Sequence, residues 1–154
     1  MTVEISAGHT STIDTDAIAS FAQATLEREG VAPNAVLSLA FVGEEAIAEL
    51  NQAHMGKAGA TDVLSFPIED AEPGIPPVAV PEGPDLELGD IFICPEVVTA
   101  HSVEYGVTFE DELYLMVCHG VLHILGWDHQ TDEDARAMEG REAEHLATVG
   151  RVRR

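Results

Sequence analysis

The sequence predicts a single α+β domain, with some α/β character, in which about four strands form a mixed sheet and helices pack on it around one central, buried helix. The chain has 154 residues and 45% of them are hydrophobic, which is enough for one ordinary core. Short β-rich runs and segments with a helical spacing of apolar residues follow one another along the chain, as in domains that combine a sheet with helices. No internal repeat divides the sequence, so we expect the domain to span residues 1–154.

The N-terminal part of the sequence predicts one strand and one helix. Val3–Ile5 alternates apolar and polar residues, which indicates a short strand. Apolar residues then recur at helical spacing as far as Arg28, and Asp14 or Thr15 stands where a capping side chain would begin that helix. Gly30 is placed to end it.

The middle of the chain predicts two strands separated by a helix. Ala35–Val42 is β-rich and bounded by turn residues, so we expect a central strand. Glu44–Met55 predicts a helix, because its first turn carries acidic residues where the helix dipole favours them. Asp62–Ile68 predicts a strand at an edge of the sheet or ending there, since Pro67 cannot donate a hydrogen bond to a neighbouring strand. Residues 69–87 are rich in proline, glycine and acids, and predict a flexible surface loop.

The C-terminal half predicts a strand followed by three helices. Leu88–Cys94 is the strand, and a helix with proline at its first position follows as Pro95–Tyr105. Thr108 is placed to cap the next helix, Phe109–Leu125, whose apolar residues lie all round it and therefore predict the buried central helix. Thr131–Val149 predicts a charged amphipathic helix.

Three histidines in and after the central helix predict a metal site. His119 and His123 are four residues apart, which places their side chains on the same face of a helix. His129 can join them only if the helix stops, and Gly126 stands where a left-handed residue would end it. Three neutral imidazoles around one divalent ion leave a position for water, which is typical of a catalytic zinc site. We therefore expect the three histidines to bind one Zn2+ ion and the water on that ion to be the catalytic group.

Two neighbours of these histidines bear on the chemistry. The histidines have the spacing of the metzincin proteases, HExxHxxGxxH, but Gly120 stands where those enzymes carry the glutamate that acts as general base. Asp128 precedes the third histidine, and its carboxylate is expected to accept the second N–H of a ligand histidine rather than to transfer a proton.

The other histidines and the two cysteines are interpreted as packing or surface residues: His9, His54, His101, His145, Cys94 and Cys118.

The charge of the chain is strongly negative. Seven Lys and Arg residues stand against 28 Asp and Glu residues, giving a formal net charge of −21, which opposes approach to nucleic acid unless a local basic patch is present. The candidates for such a patch are Lys57, the only lysine, and the C-terminal Arg151, Arg153 and Arg154. The first residues have no features of a secretory signal and no apolar run is long enough to span a bilayer, so we expect a soluble, cytoplasmic protein.

The motifs around the histidines are similar to those of a known family. His119–His129 is HGVLHILGWDH, close to the pattern HGxLHLxGxDH, and Thr61–Pro67 is TDVLSFP; both are typical of the YbeY endoribonucleases, which are ribosomal RNA maturation factors. Leu88–Ile91 matches the family's LGDI, and Leu50–Asn51 its LN. These motifs occur in the family's order and spacing over residues 35–145, so the chain resembles the family over most of its length.

The resemblance implies a fold, an activity and partners. It implies a mixed sheet with packed helices, one zinc ion held by the three histidines, and single-strand-specific endoribonuclease activity in ribosomal RNA maturation, at the 3′ end of the small-subunit RNA, and in ribosome quality control. Single-stranded ribosomal RNA and the small ribosomal subunit with its proteins would be the partners. The TDVLSFP strand flanks the metal cleft in the family, which makes Thr61, Asp62 and Ser65 candidate substrate contacts, and Lys57 is a further candidate. Many members have an arginine where this chain has Met55.

Two other functions stay open on the sequence alone. The metzincin-like spacing and the negative surface would also suit a metallopeptidase or another metal hydrolase, although Gly120 counts against the usual protease mechanism. Alternatively, the protein is a non-catalytic ribosome-assembly factor whose zinc stabilises the fold and whose acidic surface suits basic ribosomal proteins.

Overall fold

The computed structural model describes residues 1–6 and 12–154, which contain four strands and five helices. In chain order these are β1 (Thr2–Ser6), α1 (Thr15–Arg28), β2 (Ala35–Phe41), α2 (Glu44–Met55), β3 (Val63–Pro67), β4 (Leu86–Ile93), α3 (Pro95–Tyr105), α4 (Phe109–Ile124) and α5 (Asp132–Ala147). The predicted α+β class and the predicted order of elements are confirmed. His9, which was interpreted as a packing or surface residue, lies outside the described residues.

The four strands form one mixed sheet in the order β1-β2-β4-β3. Both β1 and β4 run parallel to β2, whereas β3 pairs antiparallel with β4. β2 is therefore an interior strand and β3 is an edge, as Pro67 predicted. β4 begins at Leu86 rather than at the predicted Leu88, because Leu86 already pairs with Ala35 of β2. The connection between β3 and β4 is residues 68–85, so it begins one residue earlier and ends two residues earlier than the predicted segment 69–87.

A bulge in β4 directs apolar side chains from both ends of the strand toward the central helix. Two successive residues of β2 pair with Glu87 and Gly89, so Leu88 between them is the extra residue. One extra residue reverses the alternation of side chains between the two faces of the strand. As a result Leu88 and Ile91, which are three positions apart, are both fully buried in the same core. Gly89 allows the bulge because its φ is +146°, a value that L-residues rarely adopt.

α4 is the buried centre of the domain, as the sequence predicted. It packs against β3, β4, α1, α3 and α5, and it begins where the Thr108 hydroxyl accepts a hydrogen bond from the backbone N–H of Asp111 at 3.1 Å. The larger hydrophobic core lies between the sheet and the helices α1, α4 and α5. A smaller cluster of Ile47, Leu64 and Cys94 lies between α2 and the other face of the sheet. α4 is thus packed against other elements along its length, and this packing fixes the positions of the half-buried His119 and His123 side chains.

The two cysteines are core residues, as interpreted from the sequence. Cys94 and Cys118 are both buried as free thiols. Burial, together with the charge of Glu142, raises the pKa of the Cys118 thiol, and Cys118 belongs to neither group of described residues that could hold a metal ion. No helix in residues 1–6 and 12–154 is long and apolar enough to cross a membrane.

α5 is held against α1 by a buried polar network around His145. Nε2 of His145 lies 2.8 Å from Oε2 of Glu29, and Arg28 donates its Nε hydrogen to Nδ1 of the same ring at 3.1 Å. Since Nδ1 accepts, the imidazole hydrogen is on Nε2 and is donated to Glu29. Burial lowers the pKa of His145, which keeps the ring neutral at pH 7. His145 is therefore a packing residue, and it fixes the position of α5 beside the central helix.

Candidate metal centre

The end of α4 turns the chain so that the third histidine can approach the first two. α4 ends at Ile124, and Gly126 has a φ of +93°, as predicted for a residue that ends the helix. The backbone N–H of Trp127 donates to the carbonyl of Leu122 at 3.0 Å and closes the helix end. A side chain at position 126 would also collide with the carbonyl of Ala71. The turn therefore needs glycine both for its conformation and for space.

The three predicted histidines meet at one point beside this turn. Each has a ring nitrogen within 4.8 Å of a ring nitrogen of the other two. Nε2 of His119 lies 2.9 Å from Nε2 of His123. The ring centroid of His129 lies 5.6 Å from that of His119 and 5.1 Å from that of His123. The turn after α4 thus brings His129 close to His119 and His123, as the sequence predicted.

Hydrogen bonds fix the tautomers of the first two histidines. Nδ1 of His119 lies 2.9 Å from Oε2 of Glu142, and Nδ1 of His123 lies 2.8 Å from the backbone carbonyl oxygen of Trp127. Both partners accept, so each Nδ1 carries a hydrogen and donates it. Burial and then the adjacent His119 lower the pKa of His123, which keeps that ring neutral. With both Nδ1 atoms used as donors, the Nε2 atoms of the two rings face each other at 2.9 Å, and this donor set fits a divalent metal ion.

Glu142 is a residue of this site that sequence analysis missed. It is on α5, and its side chain is only 2% exposed. Burial raises the pKa of its carboxyl, but hydrogen bonds and charges from His119 and Arg153 outweigh burial and hold the pKa below its usual value. A signal was present in the sequence, because Met138, Glu142 and Leu146 lie at intervals of four along the buried stripe of α5. An acid thus stands where the pattern of an amphipathic helix predicts an apolar residue.

Asp128 supports the site through the backbone of the third histidine. Its Oδ1 accepts a hydrogen bond from the backbone N–H of His129 at 2.8 Å. The predicted contact with a ring N–H is not observed, because a short side chain one residue earlier reaches the following backbone N–H more readily. The carboxylate that accepts a ring N–H from one of the three clustered histidines is that of Glu142, which binds His119.

Position 120 faces the sheet and not the cleft. A Cβ atom at Gly120 would lie 3.0 Å from Cγ2 of Ile91 and 3.3 Å from Oγ of Ser65. Ser65 donates its hydroxyl hydrogen to the carbonyl of Gly120 at 3.1 Å, which ties β3 to α4. A glutamate at position 120 would be directed into the core, so this fold has no room for the general base of the metzincin proteases at that position.

The histidines open into a cleft of about 690 Å³ that the end of α2, β3 and the turn after α4 enclose. The cleft is also lined by all four predicted substrate contacts and by the residue at the family's arginine position: Lys57, Thr61, Asp62, Ser65 and Met55. Asp62 is already engaged, since it accepts from the backbone N–H of Val63 at 2.8 Å and lies 3.2 Å from Nδ1 of His101. Asp62 and Ser65 therefore shape the wall of the cleft, whereas the Lys57 side chain is exposed.

The C-terminal arginines do not contribute a basic patch to this cleft. Each pairs with an acid of α4 or α5: Arg151 with Asp111 at 2.7 Å, Arg153 with Glu142 at 3.0 Å, and Arg154 with Glu112 at 2.6 Å. Among the described residues that line the cleft, Lys57 is the only lysine or arginine, whereas several acids line it. A metal ion on the histidines would therefore supply most of the positive charge in the cleft.

Comparison with known proteins agrees with this geometry. A family described as endoribonuclease YbeY matches residues 4–150. The endoribonuclease YbeY of Salinispora tropica is 41% identical over 152 residues, which cover 96% of each chain. That of Symbiobacterium thermophilum is 43% identical over 122 residues, covering 79% of this chain and 76% of its own. The solution structure of TM1509 from Thermotoga maritima has a TM-score of 0.61 and 26% identity, and the match covers 96% of this chain and 91% of that one.

The fold and the cleft define a class of single-domain α+β proteins in which a buried helix and the turn after it present three histidines beside an edge strand. The family match covers nearly the whole chain, including every element that forms the cleft. The chain belongs to the endoribonuclease YbeY family.

Proposed function

We propose that this protein is a zinc-dependent, single-strand-specific endoribonuclease that acts in the cytoplasm in ribosomal RNA maturation, at the 3′ end of the small-subunit RNA, and in ribosome quality control. The observation that carries the proposal is the pair of Nε2 atoms of His119 and His123, which lie 2.9 Å apart in a cleft that His129 completes. Relatives that are 41% and 43% identical to the chain are named endoribonuclease YbeY.

Different residues of the cleft have different roles in such an enzyme. His119, His123 and His129 hold the ion, while Glu142 and the carbonyl of Trp127 orient two of the rings through their Nδ1 hydrogens. When bound, a zinc ion supplies a Lewis acid and lowers the pKa of a water molecule toward neutrality. The cleft selects unpaired RNA because a backbone phosphate reaches a recessed site more easily when the neighbouring bases are not stacked in a duplex.

Electrostatics favours RNA that is presented on the ribosome over free RNA. The net charge of −21 repels a polyanion at long range, and Lys57 is the single basic side chain among the described residues of the cleft. Few phosphate contacts of this kind give weak binding with little dependence on salt. The small ribosomal subunit and its basic proteins are therefore the proposed partners, since they would bring the RNA to an acidic enzyme.

Removal of the metal tests the proposal directly. Purified protein is incubated with a single-stranded fragment of small-subunit ribosomal RNA, with a matched duplex as control. We expect cleavage of the single strand only, loss of cleavage after chelation, and recovery when Zn2+ is added back. A folded, zinc-loaded protein that binds ribosomal subunits but cuts neither the free fragment nor the RNA of the bound subunit would contradict the enzymatic proposal and favour the assembly-factor function.

Substitution of Met55 by arginine is expected to tighten RNA binding. Met55 lines the cleft and is 44% exposed, so a guanidinium at this position can reach a phosphate without being buried. One added charged contact is expected to strengthen binding about fivefold and to steepen the dependence of log K on log salt by about one. The measurement is RNA binding to metal-loaded protein over a range of salt concentrations. Met55→Gln is the neutral control, and an equal effect of both substitutions would rule out a phosphate contact.

A further inference from the structure

The C-terminal tail returns along the two helices that build the metal centre. Arg151 and Arg154 each make an ion pair and also cover a tyrosine ring: the Cζ of Arg151 lies 4.3 Å from the ring centroid of Tyr114, and that of Arg154 lies 3.6 Å from that of Tyr105. The tail is thus anchored on both sides of Arg153. This anchoring holds the Arg153 guanidinium beside α5.

Glu142 is shared between this tail and the metal centre. Its Oε2 accepts the Nδ1 hydrogen of His119 at 2.9 Å, and its Oε1 accepts the Nε hydrogen of Arg153 at 3.0 Å. The carboxylate is almost completely buried, so a charge there needs a compensating partner. Arg153 is that partner, since it binds the carboxylate oxygen that the histidine does not. Its guanidinium is partly exposed and reaches Glu139 only at 3.7 Å, so Glu142 is the nearer of its two carboxylate partners. Its Nη1 also donates to the backbone carbonyl of Arg154 at 2.7 Å.

We propose that Glu142 and Arg153 are positioning residues for His119, and that through them the C-terminal tail sets the affinity of the metal centre. Glu142 holds the ring of His119 in one orientation with Nε2 unprotonated, and its negative charge makes that nitrogen a stronger donor to a metal ion. Arg153 keeps the carboxylate in place with one oxygen directed at the ring. The inference rests on the proposed metal site and goes beyond it, because it adds a contact outside the cleft that controls the ligand.

The alternative is that Arg153 only stabilises the packing of the tail on α5. Arg151 offers a matched comparison, since it also anchors the tail to α4 by an ion pair, at 2.7 Å from Asp111, but it does not contact Glu142. A purely structural role predicts the same result for loss of either arginine. A positioning role predicts that metal affinity changes only when Arg153 is lost.

The experiment measures Zn2+ affinity of the full chain by competition with a chromophoric chelator, with no RNA present. For Glu142→Gln and Arg153→Met we expect binding to weaken by about 10- to 100-fold, the range typical of residues that orient a metal ligand. Arg153→Lys should restore much of the affinity, and Arg151→Met should leave it unchanged. Visible spectra of the Co2+-loaded proteins should shift for the first two variants, because the geometry at His119 changes.

Thermal unfolding of the metal-free proteins separates affinity from stability. Both arginine-to-methionine variants are expected to unfold at a lower temperature than the wild type, whereas only Arg153→Met should lose affinity. Equal affinity in Arg153→Met and wild type, or equal losses in Arg153→Met and Arg151→Met, would overturn the positioning role while leaving the metal site intact. If the wild type itself binds no Zn2+, the proposed metal site fails and this inference fails with it. Should Glu142→Gln not fold, the arginine variants alone decide the question.

Discussion

Replacing His123 by alanine is expected to abolish metal-dependent RNA cleavage, with a loss of about 1,000-fold or more in rate, because the ion and the water that it activates are lost together. His123 is central to the donor set, since its Nε2 lies 2.9 Å from that of His119 and its ring adjoins that of His129. The two remaining histidines, His119 and His129, would provide only two of the three ligands of the ion. Zinc content and the rate of cleavage of a single-stranded RNA fragment are measured on the same preparation.

His54→Ala is the matched control for this substitution. His54 is exposed, its ring contacts Phe66 of β3, and it is not part of the histidine cluster. We expect the control to keep its zinc and nearly all of its activity. Far-ultraviolet circular dichroism shows whether His123→Ala keeps the helical fold. A folded His123→Ala protein that still cleaves RNA at the wild-type rate would exclude the histidine cluster as the active site.

Local signals explain why so much of the helix that carries the site could be predicted. The capping hydroxyl of Thr108, the unbroken apolar content of α4 and the positive φ of Gly126 each act within a few residues of the chain. The meeting of His119, His123 and His129 followed from those signals alone, because the i,i+4 spacing and the helix stop are both local properties. The bounds of α4 therefore differ from the prediction by only its last residue.

The contacts that sequence analysis missed join segments far apart in the chain. The arginine tail was considered as a basic patch for RNA, whereas the fold uses it to neutralise acids of α4 and α5. Glu142 meets His119 across 23 positions, and Arg141 of the same helix meets Glu29 across 112. Charge alone does not say which acid an arginine will pair with, because that depends on how the helices pack. The apolar stripe interrupted by Glu142 was the one local clue.

The bulge in β4 leads to the second large effect. Substitution of Gly89 by alanine is expected to destabilise the protein by about 3 kcal/mol or more, because a Cβ atom adds a steric collision to an unfavourable backbone conformation. With φ at +146°, that atom would collide with the carbonyl oxygen of Phe66 and would come within 3.0 Å of Cα of Pro67 and 2.9 Å of Cδ1 of Ile124. The first two contacts are with backbone of the neighbouring strand, which cannot move without breaking the β3–β4 pairing.

Gly140→Ala is the opposite case and provides the control. Gly140 lies within α5, and a Cβ atom there would meet nothing within 4 Å. Alanine is the better helix former by about 1 kcal/mol, so this variant should be more stable than the wild type. Urea unfolding of the metal-free proteins gives both free energies on one scale. If the free energy of unfolding of Gly89→Ala lay within about 1 kcal/mol of the wild-type value, position 89 would not be sterically constrained, since a backbone collision alone costs more than that.

Substitution of Gly89 by alanine is also expected to affect the metal centre, because the bulge sets the distance between the end of α4 and the sheet. Ile124, the last residue of α4, packs directly over Gly89, and the turn that delivers His129 begins two residues later. A protein that avoids the collision by lifting the end of α4 would carry His123 and His129 away from His119. We therefore expect any folded fraction of Gly89→Ala to bind Zn2+ more weakly than the wild type, whereas Gly140→Ala should bind it equally well.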